Sequence, residues 1–401
     1  MRNAKPKLSP FVSILILMIL CCWENSTKVN AATTYNVVSF GAKSDGQTDS
    51  TKAFLSAWSK ACSSPNPATI NVPPGRFVVG SVNFRGKCNN TAISITINGT
   101  LVAPSDYRVT GITGHWLLFN NVEGVSIQGG VLDGQGKSLW DCKNLGNRDC
   151  GPFGAKTLEF KNSKNIVVAG LTSINSQVIH IFFTGCQNVK AQSLNVMAAG
   201  NSQNTDGIHV DKSSNVTIVD SKIHTGDDCI SNGPGTINLW IQNITCGPGH
   251  GISIGSLGWE QNELGVQNVT VKAVKFTGTQ NGVRIKSWGR PSNGFVKNVL
   301  FQDATMVNVQ NPIIIDQNYC PSKKNCPGQA SGIKISDVTY QHIRGTSATQ
   351  VGIMFDCSSM YPCSGIKLED VKLTYKNQDA QASCNHAHVS ALGSVQLKKC
   401  L

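Results

Sequence analysis

From about residue 120 onward, short apolar runs alternate with small polar residues at a period too long for a helix face and too regular for scattered hairpins. An Asn or Gly followed at once by a β-rich run recurs at Asn121-Val122, Asn165-Ile166, Asn188-Val189, Asn215-Val216, Asn238-Leu239, Asn268-Val269, Asn298-Val299, Gly332-Ile333 and Gly365-Ile366. Between Asn165 and Asn298 the steps are 23, 27, 23, 30 and 30 residues. Each unit holds two or three Val/Ile-rich strands broken by Gly, Asn, Asp or Ser. Self-similarity at this period, built from strands alone, predicts a solenoid, and among solenoids an all-β, right-handed, single-stranded parallel β-helix. A βαβ fold would need helices between the strands, and a propeller would show hairpin turns and a blade signature; neither pattern is present.

The N-terminal part reads differently. Residues 35–41 alternate as a strand does. Asp49 to Cys62 then carries Ala53, Phe54, Ala57, Trp58 and Ala61 at helical spacing. This is the one helix the pattern predicts, and it is expected to cap an end of the solenoid. Before it, Arg2, Lys5 and Lys7 precede an apolar run of 12 residues, Phe11 to Cys22, with Val29-Asn30-Ala31 as a small-residue cleavage site. That order is a secretory signal peptide over 1–31. Twelve apolar residues are too few to span a bilayer, so no membrane association is expected. Residues 32–401 remain as one catalytic β-helix domain, expected to be monomeric.

Charge and cysteines refine the compartment. Of the formal +12, the leader accounts for +3 (Arg2, Lys5, Lys7 and Lys28 against Glu24), which leaves +9 on the mature part. An exported basic protein suits an anionic partner. The basic residues are dispersed and no nucleic-acid motif occurs, so an acidic cell-wall polymer is preferred to nucleic acid. Thirteen cysteines remain beyond the leader. Close spacing in an oxidising compartment suggests Cys62–Cys88, Cys142–Cys150, Cys229–Cys246, Cys320–Cys326, Cys357–Cys363 and Cys384–Cys400, although spacing alone does not fix connectivity. Cys186 is left as a buried thiol. Sequons at Asn89, Asn98, Asn215, Asn243 and Asn268 are candidate glycan sites.

The chemistry concentrates between Asn204 and Lys286. Asp206, Asp227, Asp228, His250, Arg284 and Lys286 follow the markers at offsets that describe one sector of successive coils, and Tyr319 follows one coil later. Neighbouring rungs lie ~4.8 Å apart. Glycoside hydrolysis needs a proton donor and a second carboxylate, and crowding three carboxylates raises at least one pKa. Arg284 and Lys286, two residues apart, share a strand face and would bind a uronate carboxylate. His250 would support the acid, whereas His209 reads as structural. Adjacent Asp227 and Asp228 require a bend, for which Gly226 supplies freedom. No cofactor and no metal is called for.

Asn204-Thr205-Asp206-Gly207, Gly226-Asp227-Asp228, Gly249-His250-Gly251 and Arg284-Ile285-Lys286, in this order, resemble the four signature motifs of the polygalacturonases, glycoside hydrolase family 28. In finer detail Thr225–Ser231, Cys246–Ser253, Gln280–Lys286 and Asp316–Pro321 are similar to the exopolygalacturonases of plant pollen, some of which are allergens. The resemblance implies a metal-free, inverting hydrolysis of the α-1,4-galacturonosyl linkages of polygalacturonate, the de-esterified pectin of the cell wall, releasing galacturonate from the non-reducing end. It implies Asp227 as general acid, Asp206 and Asp228 as the groups that position and activate water, His250 as support for the acid, and Arg284, Lys286, Tyr319 and Asn204 as substrate-binding residues. Rivals are an endo-acting enzyme, a Ca²⁺-dependent pectate lyase and a basic wall-binding protein or allergen without activity. Exo action needs a wall at one end of the cleft, and residues 136–155 are a candidate.

Overall fold

A computed structural model describes residues 32–146, 150–151, 154–395 and 400; the signal peptide expected over 1–31 lies outside them. The chain winds into a right-handed parallel β-helix. Among the described residues, one sheet has 11 strands, one from each coil, and a second has 23. Every pairing between them is parallel except the short hairpin of Lys372–Tyr375 with Gln378–Asp379. The 11-stranded sheet carries the chemistry, and its central strands are Ile181–Thr184, Ile208–Asp211, Ile230–Asn232, Ile252–Leu257, Asn281–Trp288 and Asn311–Tyr319.

Parallel pairing in register stacks like on like. Leu158, Ile181, Ile208, Ile230, Ile252, Val283 and Ile313 form one inward ladder, all at most 1% exposed. Two residues along each strand, Phe84, Phe119, Phe160 and Phe183 stack with centroids 4.7, 4.9 and 5.7 Å apart. The helix Thr51–Ser63 closes the open end of this stack. Its buried face contains Ala53, Phe54, Ala57, Trp58 and Ala61, and Trp58 packs 5.3 Å from Phe84 and 5.5 Å from Phe119. An end rung has apolar side chains with no coil beyond them, and the helix supplies the missing cover.

The recurring asparagines have a structural reason. Asn165, Asn188, Asn215, Asn238, Asn268 and Asn298 all sit at φ between 55° and 57°, the left-handed conformation that Asn tolerates better than other side chains. From Asn188 onward each Nδ2 donates to the Asn Oδ1 of the coil before it, at 3.1, 3.2, 3.0, 2.9 and 3.3 Å, and Asn165 Nδ2 donates to Glu123 Oε1. The turn is thus held by a continuous amide ladder. Two of the predicted markers are misplaced. Register continues from Val299 to Val338, so Asp337 (φ 55°), not Gly332, takes the turn after Asn298. Before Asn165 the turn residue is Gly124, not Asn121, because Ser126 pairs with Val167.

Three local expectations also change. Residues 35–41 are not one strand: Thr33–Asn36 is a strand, and Val37–Phe40 is a 3-10 turn whose Val38 amide is capped by the Asn36 side chain. Two helices were not anticipated, Tyr107–Gly111 and Lys137–Asn144. The second buries only the adjacent Leu139 and Trp140, so it leaves no amphipathic period to read. All six anticipated disulfides form. Cys186 is a free buried thiol, and burial pushes its pKa up to about 11.

Candidate active site

Register explains how residues far apart in sequence meet. Asp206, Asp228 and His250 each stand two residues before a ladder isoleucine, Ile208, Ile230 and Ile252, which pair directly. They therefore occupy the same point on three consecutive coils, ~4.8 Å apart per rung. Asp227 lies one residue earlier, in the bend between Ser214–His224 and Ile230–Asn232. Gly226 is required there for close approach rather than for a positive φ: a Cβ on it would lie 2.1 Å from the Ser202 carbonyl oxygen. His250 is fixed in a similar way, because a Cβ on Gly251 would meet the Asn281 oxygen at 2.1 Å.

Asp228 is the anchor of the group. Its side chain is 1% exposed. Oδ1 accepts from Arg284 Nη2 at 2.7 Å and from Ser253 Oγ at 2.8 Å, and Oδ2 accepts from Lys286 Nζ at 2.8 Å. Burial alone would raise its pKa, but Lys286 and Arg284 outweigh it and hold the carboxyl at about 2. Asp206 has the opposite balance. Loss of solvation on burial, then the charges of Asp227 and Asp228, push it up to about 7. Its Oδ2 accepts a 2.5 Å bond from Ser231 Oγ, which also lies 2.6 Å from His209 Nδ1. Burial pushes His209 down to about 4, so the ring is neutral.

Asp227 completes the set. Its Oδ1 accepts from the Asp228 amide at 2.8 Å and lies 3.1 Å from His250 Nδ1. Its Oδ2 accepts from the Asn204 amide at 3.2 Å, so Asn204 reaches the cluster through its backbone, in a left-handed turn. Tyr319 lies beneath the cations, with Lys286 Nζ 5.2 Å and Arg284 Cζ 5.9 Å from its ring centroid.

All eight sequence-predicted residues thus converge. Two expectations shift in detail. Arg284 and Lys286, pictured as free for substrate, are 7% exposed each and already paired with Asp228. What they offer a ligand is their remaining N–H groups. His209, read as structural, is linked to Asp206 through Ser231. The hydroxyls of Ser231 and Ser253 were missed. Their signal was positional, since His209, Ser231, Ser253 and Arg284 occupy one outward column of the sheet. Donor atoms of Asp227, Asp228 and His250 lie within 4.8 Å of one another. Both Asp228 oxygens are nevertheless committed to ammonium and guanidinium groups, which suits a divalent cation poorly.

A groove beside the cluster is lined by Ser105, Asp133, Gln135, Lys137, Trp140, Asn175 and Asn201. The helix Lys137–Asn144 stands on its flank, held by Cys142–Cys150 and by the Trp140 Nε1 bond to the Gln177 carbonyl.

Known proteins share this architecture and sequence. The profile of glycosyl hydrolases family 28 matches residues 62–394. A polygalacturonase of Prunus persica is 61% identical over 389 residues, covering 97% of this chain and 99% of its own. An exopolygalacturonase of Platanus acerifolia is 41% identical over 362 residues, covering 90% and 95%. Among solved structures, an endo-xylogalacturonan hydrolase from Aspergillus tubingensis superposes with a TM-score of 0.77 at 24% identity, over 90% of this chain and 100% of its own, a likeness of fold. With the profile spanning most of its length and relatives this close along nearly all of it, the chain belongs to glycosyl hydrolase family 28.

Proposed function

We propose that the protein is a secreted polygalacturonase that cleaves α-1,4-galacturonosyl linkages of polygalacturonate with inversion, acting from the non-reducing end and releasing galacturonate. The observation that carries this reading is the division of labour among three stacked carboxylates. Asp228 is held ionised by Arg284 and Lys286, whereas Asp206 keeps a proton to about pH 7. At mildly acidic pH Asp206 therefore holds a proton that the neighbouring Asp228 has given up.

Asp227, open to the cleft and braced by His250 and two backbone amides, acts as the general acid that protonates the glycosidic oxygen. Asp206 and Asp228 orient the water that attacks the anomeric carbon from the opposite face. Arg284 and Lys286 neutralise Asp228 and turn their spare N–H groups to the uronate carboxylate, with Tyr319 beneath the sugar. The helix Lys137–Asn144 with Cys142–Cys150 lines the groove that reaches Asn201, three residues before Asn204, and a wall on that side supports exo action. The six disulfides suit an oxidising extracellular compartment, and the catalytic unit is 32–401 once the leader is removed.

The test is product chromatography over time on de-esterified polygalacturonate at about pH 5. Galacturonate as the sole early product supports the proposal. A ladder of early oligomers would keep the hydrolase but make it endo-acting.

A further inference from the structure

Beyond Tyr319 the outward face of the sheet continues as a run of aromatic and cationic groups that the catalytic account leaves unused. Trp288 lies 5.3 Å from Tyr319, edge to face, and Trp259 lies 5.2 Å from Trp288. The Arg290 guanidinium rests 4.2 Å from the Trp259 ring centroid and 5.6 Å from that of Trp288. Trp259 is 54% exposed, which is unusual for a large indole in a folded chain.

It is nonetheless held firmly. The amides of Gly258, Trp259 and Glu260 all donate to the Glu263 carboxylate, at 2.6, 3.0 and 3.4 Å, and Glu263 is itself tied to Asn293. A loop that rigidifies an exposed ring without burying it has already met most of the ordering cost of a stacking contact. Among the described residues Arg290 has no carboxylate partner: Glu263 is committed to backbone, and neither it nor Glu260 forms an ion pair with the guanidinium. Stacking occupies the faces of the guanidinium, and apart from a long 3.5 Å bond from Nη1 to the Trp259 carbonyl its in-plane N–H groups remain available, the geometry that takes a carboxylate in bidentate fashion.

We infer that Trp259, Trp288 and Arg290 form an additional uronate subsite on the Arg284/Lys286 side of the cleft, with a pyranose ring on the exposed Trp259 face and its carboxylate on Arg290. This rests on the galacturonan reading above and adds to it a basis for preferring longer chains. The path from the cluster is continuous, Asp228 to Lys286 to Tyr319 to Trp288 to Trp259, each step a contact of 2.8–5.3 Å.

The test compares kcat/KM on tetragalacturonate with that on digalacturonate. In Arg290→Gln and in Trp259→Ala the ratio should fall about tenfold, through KM, equivalent to ~1.4 kcal/mol. Arg290→Lys should recover part of the loss. A melting temperature near wild type excludes collapse of the loop as the cause. A ratio unchanged from wild type in both variants overturns the subsite while leaving the hydrolase intact. Should wild type bind tetragalacturonate without cleaving it, calorimetric Kd replaces kcat/KM with the same expected tenfold loss. Wild type that neither binds nor cleaves overturns both readings together.

Discussion

The raised pKa of Asp206 makes a prediction about stability as well as catalysis. The group titrates near 7 when folded and near 3.8 when unfolded, so between these values the native state holds a proton that the unfolded state has lost. Its contribution is therefore fully present below about pH 4 and is lost as pH rises through 7. Each pH unit in that window removes up to about 1.4 kcal/mol, and the whole span has a ceiling of about 4 kcal/mol. Asp206→Asn abolishes the titration but keeps an oxygen to accept the Ser231 hydroxyl. The variant should match or trail wild type at pH 4 and exceed it by several degrees in melting temperature at pH 7.5, at constant ionic strength. Scanning calorimetry of both proteins at pH 4, 5.5 and 7.5 measures the difference. A gap between variant and wild type that does not change with pH would refute the argument, because it would mean that Asp206 is as ionised in the native state as in the unfolded one.

Other perturbations should act in defined directions. Asp228→Asn leaves Arg284 and Lys286 nearly buried without their counter-ion, so it should cost about 3–5 kcal/mol in denaturant unfolding; a loss below 1 kcal/mol would contradict the ion-pair account. Because Asp228 titrates near 2 when folded, the stability it gives is present above about pH 4 and should fade as pH drops towards 2. Ser231→Ala removes the donor to Asp206 and should move the apparent pKa of the site upward by about one unit in the pH profile of kcat/KM, the worth of one hydrogen bond. Asn238→Ala breaks the amide ladder at both of its links and places a Cβ-bearing residue at φ 57° without compensation. It should destabilise by about 2 kcal/mol, and Asn238→Gly by less.

Much of the molecule was legible in sequence because a solenoid repeats its physics. The same turn recurs on each coil and demands the same left-handed residue, so Asn165 to Asn298 announced the period. Where the turn accepts another residue, as at Asp337 and Gly124, the marker was misread. The cysteine pairs were legible because most close short loops. The helix Lys137–Asn144 was not, since two adjacent buried residues carry no period. Charged residues of the site stood out individually, but pairing did not. That Arg284 and Lys286 turn to Asp228, and that Ser231 joins His209 to Asp206, depends on which residues fall on one outward column. Column membership follows from register, which coils of 23 to 30 residues set differently at each step.

The central claim is that Asp227 delivers a proton to a galacturonosyl linkage which is then hydrolysed. It is tested most directly by following reducing ends released from de-esterified polygalacturonate at pH 5 by wild type and by Asp227→Asn, with proton NMR of the first product formed. The account predicts rapid release by wild type with the β anomer appearing first, and at least a thousandfold slower release (~4 kcal/mol of barrier) by a folded variant that still binds the polymer. Comparable rates in the two proteins, or a product carrying a 4,5 double bond, would contradict it.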